Sequence, residues 1–211
     1  MMKSKNHKKS MISVKYIWTV AAIALTWSGA SAQAGVFNTP HFVVPGEFAI
    51  GLEPEVILTN GAGVGVNARF TLGVTDLNNA SIILGTGSGP RGFRGGGNFT
   101  FDFFPDVEGQ AGIGLATQLL YYRLANNAGQ LELTLIPYIH KTFKNGPNSS
   151  IEPFIAIPLG WGFNDGQYNF LADFTLGTAF QSTEKVSFIL ELGVAISHTE
   201  SYFSGGVVYR H

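Results

Sequence analysis

Residues 64–74 read Val64-Gly65-Val66-Asn67-Ala68-Arg69-Phe70-Thr71-Leu72-Gly73-Val74. Val64, Val66, Ala68, Phe70, Leu72 and Val74 fall on one face, while Gly65, Asn67, Arg69, Thr71 and Gly73 fall on the other. Strict period two over this length defines a strand with one apolar and one polar face. No stretch after residue 45 sustains a helical period. The two-residue period instead recurs near 46–58, 80–87, 93–103, 111–122, 131–140, 151–161, 168–180, 186–197 and 202–210.

Between these segments lie turn formers such as Asn60-Gly61, Pro105-Asp106, Asn145-Gly146-Pro147 and Asn164-Asp165-Gly166. Connections this short join sequence neighbours as antiparallel hairpins. The expected architecture is therefore all-β: a closed antiparallel up-and-down barrel of about 10 strands over residues 46–211. Eight strands result if 80–87 and a neighbour merge.

The N-terminus has a different character. Lys3, Lys5, Lys8, Lys9 and Lys15 precede the apolar run Ile17 to Trp27, and Ala30-Ser31-Ala32-Gln33-Ala34 supplies overlapping small-residue cleavage sites. That layout predicts a secretory signal peptide over 1–34, followed by an irregular lead-in at 35–45. Its removal leaves 8 Lys and Arg against 14 Asp and Glu, a net charge of −6, with no basic patch to suit nucleic acid. Cysteine is absent, so stability must come from backbone pairing and packing.

Alternation alone does not say which face is inside. A soluble lipid-binding barrel would hold the apolar face inward. Here, however, the polar face carries mainly small residues, as in Gly112, Gly114, Ala116 and Gln118, and Lys141, Lys144 and Lys185 all lie in predicted turns. Small residues suit the lining of a narrow lumen. Aromatics also fall at both strand ends: Phe93, Tyr121, Trp161, Phe163, Tyr168 and Phe203 at one, and Phe48, Phe103, Phe104, Phe143, Phe180 and Tyr209 at the other. Two such girdles mark lipid interfaces and predict a transmembrane barrel.

The C-terminus, Ser204-Gly205-Gly206-Val207-Val208-Tyr209-Arg210-His211, resembles the terminal assembly signal of bacterial outer-membrane β-barrel proteins. Ser204, Gly206 and Tyr209 match that signal, while His211 stands where a final Phe is usual. The resemblance, carried by strand pattern over 46–211, implies an outer-membrane location in a Gram-negative envelope. It also implies contact with outer-membrane lipid, lipopolysaccharide and the barrel assembly machinery.

With lipid outside, the polar residues face the lumen. Folding the first hairpin about Gly61 sets Glu53 opposite Arg69, with Glu55 one step toward the mouth. Folding the last between Glu200 and Ser201 sets Glu191 opposite Arg210, and barrel closure brings Glu47 toward Arg210. His140 and Glu152 oppose one another across the sixth turn, whereas Asp102 and Asp173 lack an adjacent base. This charge network either forms a selective constriction or fills a narrow barrel, and filling is the simpler reading. Arg91 and Arg94 are expected at the outer mouth, where guanidinium groups could meet lipopolysaccharide phosphates.

Other chemistry is weakly signalled. His198-Thr199-Glu200-Ser201 contains the residue types of a hydrolytic triad, and some small barrels deacylate lipid A with such groups. Neighbours in a tight turn rarely face one another productively. Gly85-Thr86-Gly87-Ser88-Gly89-Pro90 lacks the Gly-Lys pair and the helix of a phosphate loop. Gly95-Gly96-Gly97 reads as a bend or a close approach. Neither a cofactor nor a metal site is expected. The expected protein is a non-enzymatic envelope barrel with a structural role or a narrow passive pore. The alternatives are a lipid A-modifying hydrolase barrel and a soluble periplasmic lipid-binding barrel.

Overall fold

The computed structural model describes residues 43–59, 62–88, 92–123, 128–164 and 166–211. The segment 1–34 and most of the lead-in lie outside these residues, as does Arg91. Twelve strand segments are present: β1 (Phe48–Ile57), β2 (Gly63–Thr75), β3 (Asn78–Gly87), β4 (Phe93–Phe104), β5 (Gly112–Arg123), β6 (Gly129–His140), β7 (Phe143–Gly146), β8 (Ser149–Ala156), β9 (Leu159–Asn164), β10 (Gln167–Gln181), β11 (Val186–Ser197) and β12 (Tyr202–Arg210).

They make ten staves. Both β8 and β9 pair with β6 on one side and β10 on the other, so together they are one stave broken at Ile157-Pro158. β7 pairs only with β8, as an extension at the turn. The remaining staves follow sequence order, and β12 pairs antiparallel with β1 from Ala49↔Arg210 to Ile57↔Tyr202, closing the ring. The eight-stranded alternative is thus replaced by ten, with residues 80–87 inside a full stave.

The broken stave follows from proline, which lacks an N–H and is poorly tolerated inside a ladder. Pro158 and Pro137 both contribute carbonyls instead: Ile157 N–H donates to Pro137 O at 3.0 Å and Asp173 N–H to Pro158 O at 3.0 Å. The ladder of β10 runs past the interruption in one register, from Ala172↔Leu159 to Thr175↔Ala156, while its pairing with β11 on the other side shifts between Ala172 and Asp173.

The faces divide as the alternation requires. In β1, Ala49, Gly51, Glu53, Glu55 and Ile57 are buried, while Ile50, Leu52 and Val56 are exposed. The same division runs round the barrel, from Phe70 and Leu72 to Leu190 and Leu192. A continuous apolar exterior around a polar interior far exceeds the exposed patches that water-soluble proteins carry. It is the arrangement of a transmembrane barrel, and the soluble reading with apolar residues inside is overturned. Trp161, Tyr168 and Phe203 stand exposed toward the loop end, and Phe103, Phe104 and Phe143 toward the end that holds the termini.

At the terminus end, Lys141 Nζ donates to Asp106 Oδ1 at 2.6 Å, Val107 O at 2.7 Å and Gln110 O at 2.8 Å, while Thr142 N–H donates to Asp106 Oδ2 at 2.6 Å. Burial pushes the Asp106 carboxyl up, but the hydrogen bonds from Lys141 and Thr142 outweigh it and hold it below the usual carboxylate value. A depressed carboxylate stabilises the turn above its unfolded pKa and loses that contribution as pH falls through the folded value. Hydrogen exchange should therefore find the Thr142 amide protected at neutral pH and losing protection only below the ordinary Asp value of about 3.9. Protection lost already near pH 6 would contradict this.

Candidate functional site

The lumen is the candidate site, and inward-facing side chains largely fill it. Its architecture rests on cross-strand pairs of one large residue and one glycine. His140 lies over Gly112, Tyr138 over Gly114, Phe154 over Gly177 and Tyr202 over Gly193, each directly paired in the ladder. A Cβ at any of these glycines would meet the partner side chain inside van der Waals distance. The small residues of the polar face thus make room for large neighbours.

The loop-end half holds a strut. Arg94 on β4 pairs with Glu55 on β1, three staves away, through Nη2 to Oε1 and through Nη1 to Oε2 at 3.4 Å. The guanidinium lies over the Tyr122 ring, 5.4 Å from its centroid. Asn67 Nδ2 donates to Glu55 Oε2 at 3.4 Å. Arg94 is only 2% exposed, so its expected place at the outer mouth facing lipopolysaccharide is corrected: it is a lumen residue. The signal was in the alternation, because Phe99, Phe101 and Phe103 set odd positions of β4 outward and therefore residue 94 inward.

Next to it, Arg69 Nε donates to Glu53 Oε1 at 2.8 Å and Nη2 to Oε2 at 3.4 Å. The pair forms as expected, but on a diagonal. The register sets Glu53 opposite Asn67 and Arg69 opposite Gly51, offset from the direct opposition expected. Toward the terminus end, His140 bridges two carboxylates: Nδ1 to Glu152 Oε1 at 2.6 Å and Nε2 to Asp102 Oδ2 at 3.2 Å. Tyr138 OH donates to Asp102 Oδ1 at 2.7 Å. Asp102 thus has the base that adjacency in sequence did not reveal, reached across β5, where Gly112 and Gly114 leave the space.

The last hairpin corrects another expectation. Glu191 pairs in register with Ser204, six residues along β12 from Arg210, and accepts a hydrogen bond from Tyr202 OH. The turn is centred nearer Ser197-His198 than Glu200-Ser201. His198 takes φ 46°, Thr199 and Glu200 are buried, and Ser201 N–H donates to Thr59 Oγ1 at 2.9 Å. Tyr202 seated over Gly193 then fixes the register. Arg210 instead donates to Ser187 Oγ at 3.4 Å, with Glu47 exposed at the rim, within electrostatic reach but beyond ion-pair distance.

Arg69, Arg210, Glu53, Thr71 and Ser187, together with Val43 from the lead-in, line a cavity of ≈ 30 Å³, room for about two waters. Apolar contacts narrow the rest of the lumen: Ile83, Leu120 and Tyr122 pack together, as do Ala116, Ile136, Tyr138 and Ala156. Among the described residues, eight buried acids (Glu53, Glu55, Asp102, Glu132, Glu152, Asp173, Glu191, Glu200) face two buried arginines and one histidine. The lumen is acidic.

The hydrolytic candidate residues have other partners: His198 Nδ1 lies 3.1 Å from Ser197 Oγ, and Ser201 Oγ accepts from Ala195 N–H at 3.1 Å. In the terminal signal, Ser204 Oγ faces inward and donates to Pro54 O at 2.9 Å, Gly206 lies opposite Ile189 in the ladder, and Tyr209 is exposed outward. His211 takes the place of the usual aromatic by stacking on Phe48, with centroids 4.8 Å apart at 10°, and its N–H donates to Phe48 O at 2.9 Å.

No family model matches the chain, and no curated protein matches it. Solved structures do. An outer-membrane channel of Pseudomonas putida F1 superposes with a TM-score of 0.52 at 8% identity, covering 85% of this chain and 100% of that one. A designed transmembrane β-barrel matches at TM-score 0.41 and 12% identity, over 81% of this chain and 100% of its own. A bacterial polysaccharide outer-membrane secretin matches at TM-score 0.45 and 9% identity, over 78% of this chain and 65% of its own. The fold and the apolar exterior define the class: a small, closed, ten-stave transmembrane β-barrel.

Proposed function

We propose that this barrel resides in the outer membrane and is a narrow passive pore for small cations, held shut by the Arg94–Glu55 strut. The observation that carries the reading is the strut itself, an ion pair from β4 to β1 across the lumen rather than along its wall. Filling a narrow barrel needs no charge, since apolar side chains of the same volume serve stability equally well or better. A lumen lined by acids and hydrogen-bonding groups supports the passage of water and cations, and its acidic excess disfavours anions.

The test uses protein recovered from outer-membrane fractions and placed in planar bilayers. Arg94→Ala should raise open probability and conductance at least severalfold over the parent, with cations carrying the current. Arg94→Lys should stay close to the parent. Absence of the protein from that fraction would sink the location. No current steps in either parent or Arg94→Ala would leave a purely structural envelope role.

A further inference from the structure

On the lipid-facing wall, we infer that a glycine-floored groove between β3 and β6 holds one acyl chain of a phosphorylated glycolipid of the lipid A class, with a phosphate on Arg123. The groove runs over Gly95 and Gly97 and has a volume of ≈ 490 Å³, within the range of about 300–1,000 Å³ for ligand clefts. Ile82 and Leu84 rise along one side, paired in register with Gly97 and Gly95, and Leu119 and Tyr121 rise along the other. Leu131 and Leu133 widen the second wall, and Phe99 closes the terminus end.

The bareness of the floor is not forced by packing throughout. At Gly96, which faces inward, a Cβ would collide with the backbone of Leu119 and Leu120, so glycine is required there. At Gly95 the nearest obstacle is the Phe93 ring at 3.2 Å, the end of a movable surface side chain. The outward positions that flank the floor carry larger side chains: Ile82, Leu84, Phe99, Leu119 and Tyr121 are all exposed. From Phe93 to Phe99 the groove spans about 20 Å of strand, the length of one extended saturated chain.

The head end supplies the charge. Arg123, the last residue of β5, follows Tyr121 on the outward face, is exposed, and pairs in register with Phe93 at the loop end of the groove. Among the described residues it has no carboxylate within ion-pair distance. A guanidinium at the membrane edge above an apolar slot is complementary to a phosphate above an acyl chain. The choice of lipid A rests on the outer-membrane location proposed above, which puts the loop end in the glycolipid leaflet. The groove, its length and Arg123 do not depend on conduction.

Native mass spectrometry of the detergent-purified barrel, titrated with lipid A, tests this apart from location and conductance. One lipid A per barrel is expected. Arg123→Gln should weaken binding about tenfold, the loss of one charged hydrogen-bonded contact. Dephosphorylated lipid A should bind the parent as weakly as lipid A binds Arg123→Gln. Gly95→Leu should abolish binding by filling the slot, and Leu131→Trp should do the same from the wall should Gly95→Leu fail to fold. Heat-modifiable gel migration reports that each variant retains the barrel. Unchanged binding in Arg123→Gln, or in the folded slot-filling variant, overturns the site. Equal binding of phosphatidylglycerol overturns the glycolipid assignment, and a dimer lost in the slot-filling variant would assign the groove to a second copy instead.

Discussion

Arg69→Met should destabilise the barrel by about 3–5 kcal/mol, because it strands the Glu53 carboxylate inside the lumen. Glu53 is 1% exposed, and Arg69 Nε at 2.8 Å is its direct ion-pair partner. Removing one member of a buried pair leaves the desolvation cost of the other without its Coulombic return. Urea unfolding of the barrel in lipid vesicles measures the change. The double variant Glu53→Gln with Arg69→Met should recover most of the loss, since it leaves no buried charge behind. A single variant within ~0.5 kcal/mol of the parent would mean that water reaches Glu53 freely, and the lumen would then be open rather than filled.

Gly177→Val should destabilise the barrel without touching any ion pair. A Cβ at Gly177 would overlap three atoms at the far end of the Phe154 ring, which reaches over the glycine from the neighbouring stave. The ring cannot turn outward, because its own strand position faces the lumen, so either the ring or the β8–β10 ladder must shift. Overpacking of this kind costs about 1–3 kcal/mol. Adding Phe154→Ala should restore the fold, as the two volumes exchange across the same pair. If Gly177→Val alone folds as stably as the parent, the ring-over-glycine arrangement is not what spaces these staves. Heat-modifiable migration and urea midpoints of the four proteins in the cycle separate the outcomes.

The fold was almost wholly legible in the sequence because period two has only one structural meaning over ten residues, and because the turn formers punctuate it. Which side chains share the lumen was also legible, Arg94 included, had the parity of Phe99, Phe101 and Phe103 been carried back along β4. Register was less so. The first hairpin's register is offset from the one expected, yet Glu53 and Arg69 still meet on the diagonal. In the last hairpin no asparagine–glycine pair marks the turn, and the register there is set by Tyr202 over Gly193, a contact between staves that local sequence does not encode. Contacts that skip staves, such as Asp102 with His140 over one and Arg94 with Glu55 over two, depend on barrel curvature and small intervening residues. They become visible only in three dimensions.

The closing seam sets an order of events for the chain. Ser204 Oγ bonds Pro54 O across 150 positions of sequence, and His211 stacks on Phe48 at the same join. Ten staves can zip through nine successive hairpins, each closing a short loop at small entropic cost, but the tenth pairing must draw together the two ends of everything made before it. Until then both outermost strands expose unpaired backbone to hydrocarbon. The last few residues of the chain therefore act as a clasp on a process rather than as one more wall of a container, and a chain stopped short of them would be left as an open sheet with two unsatisfied edges.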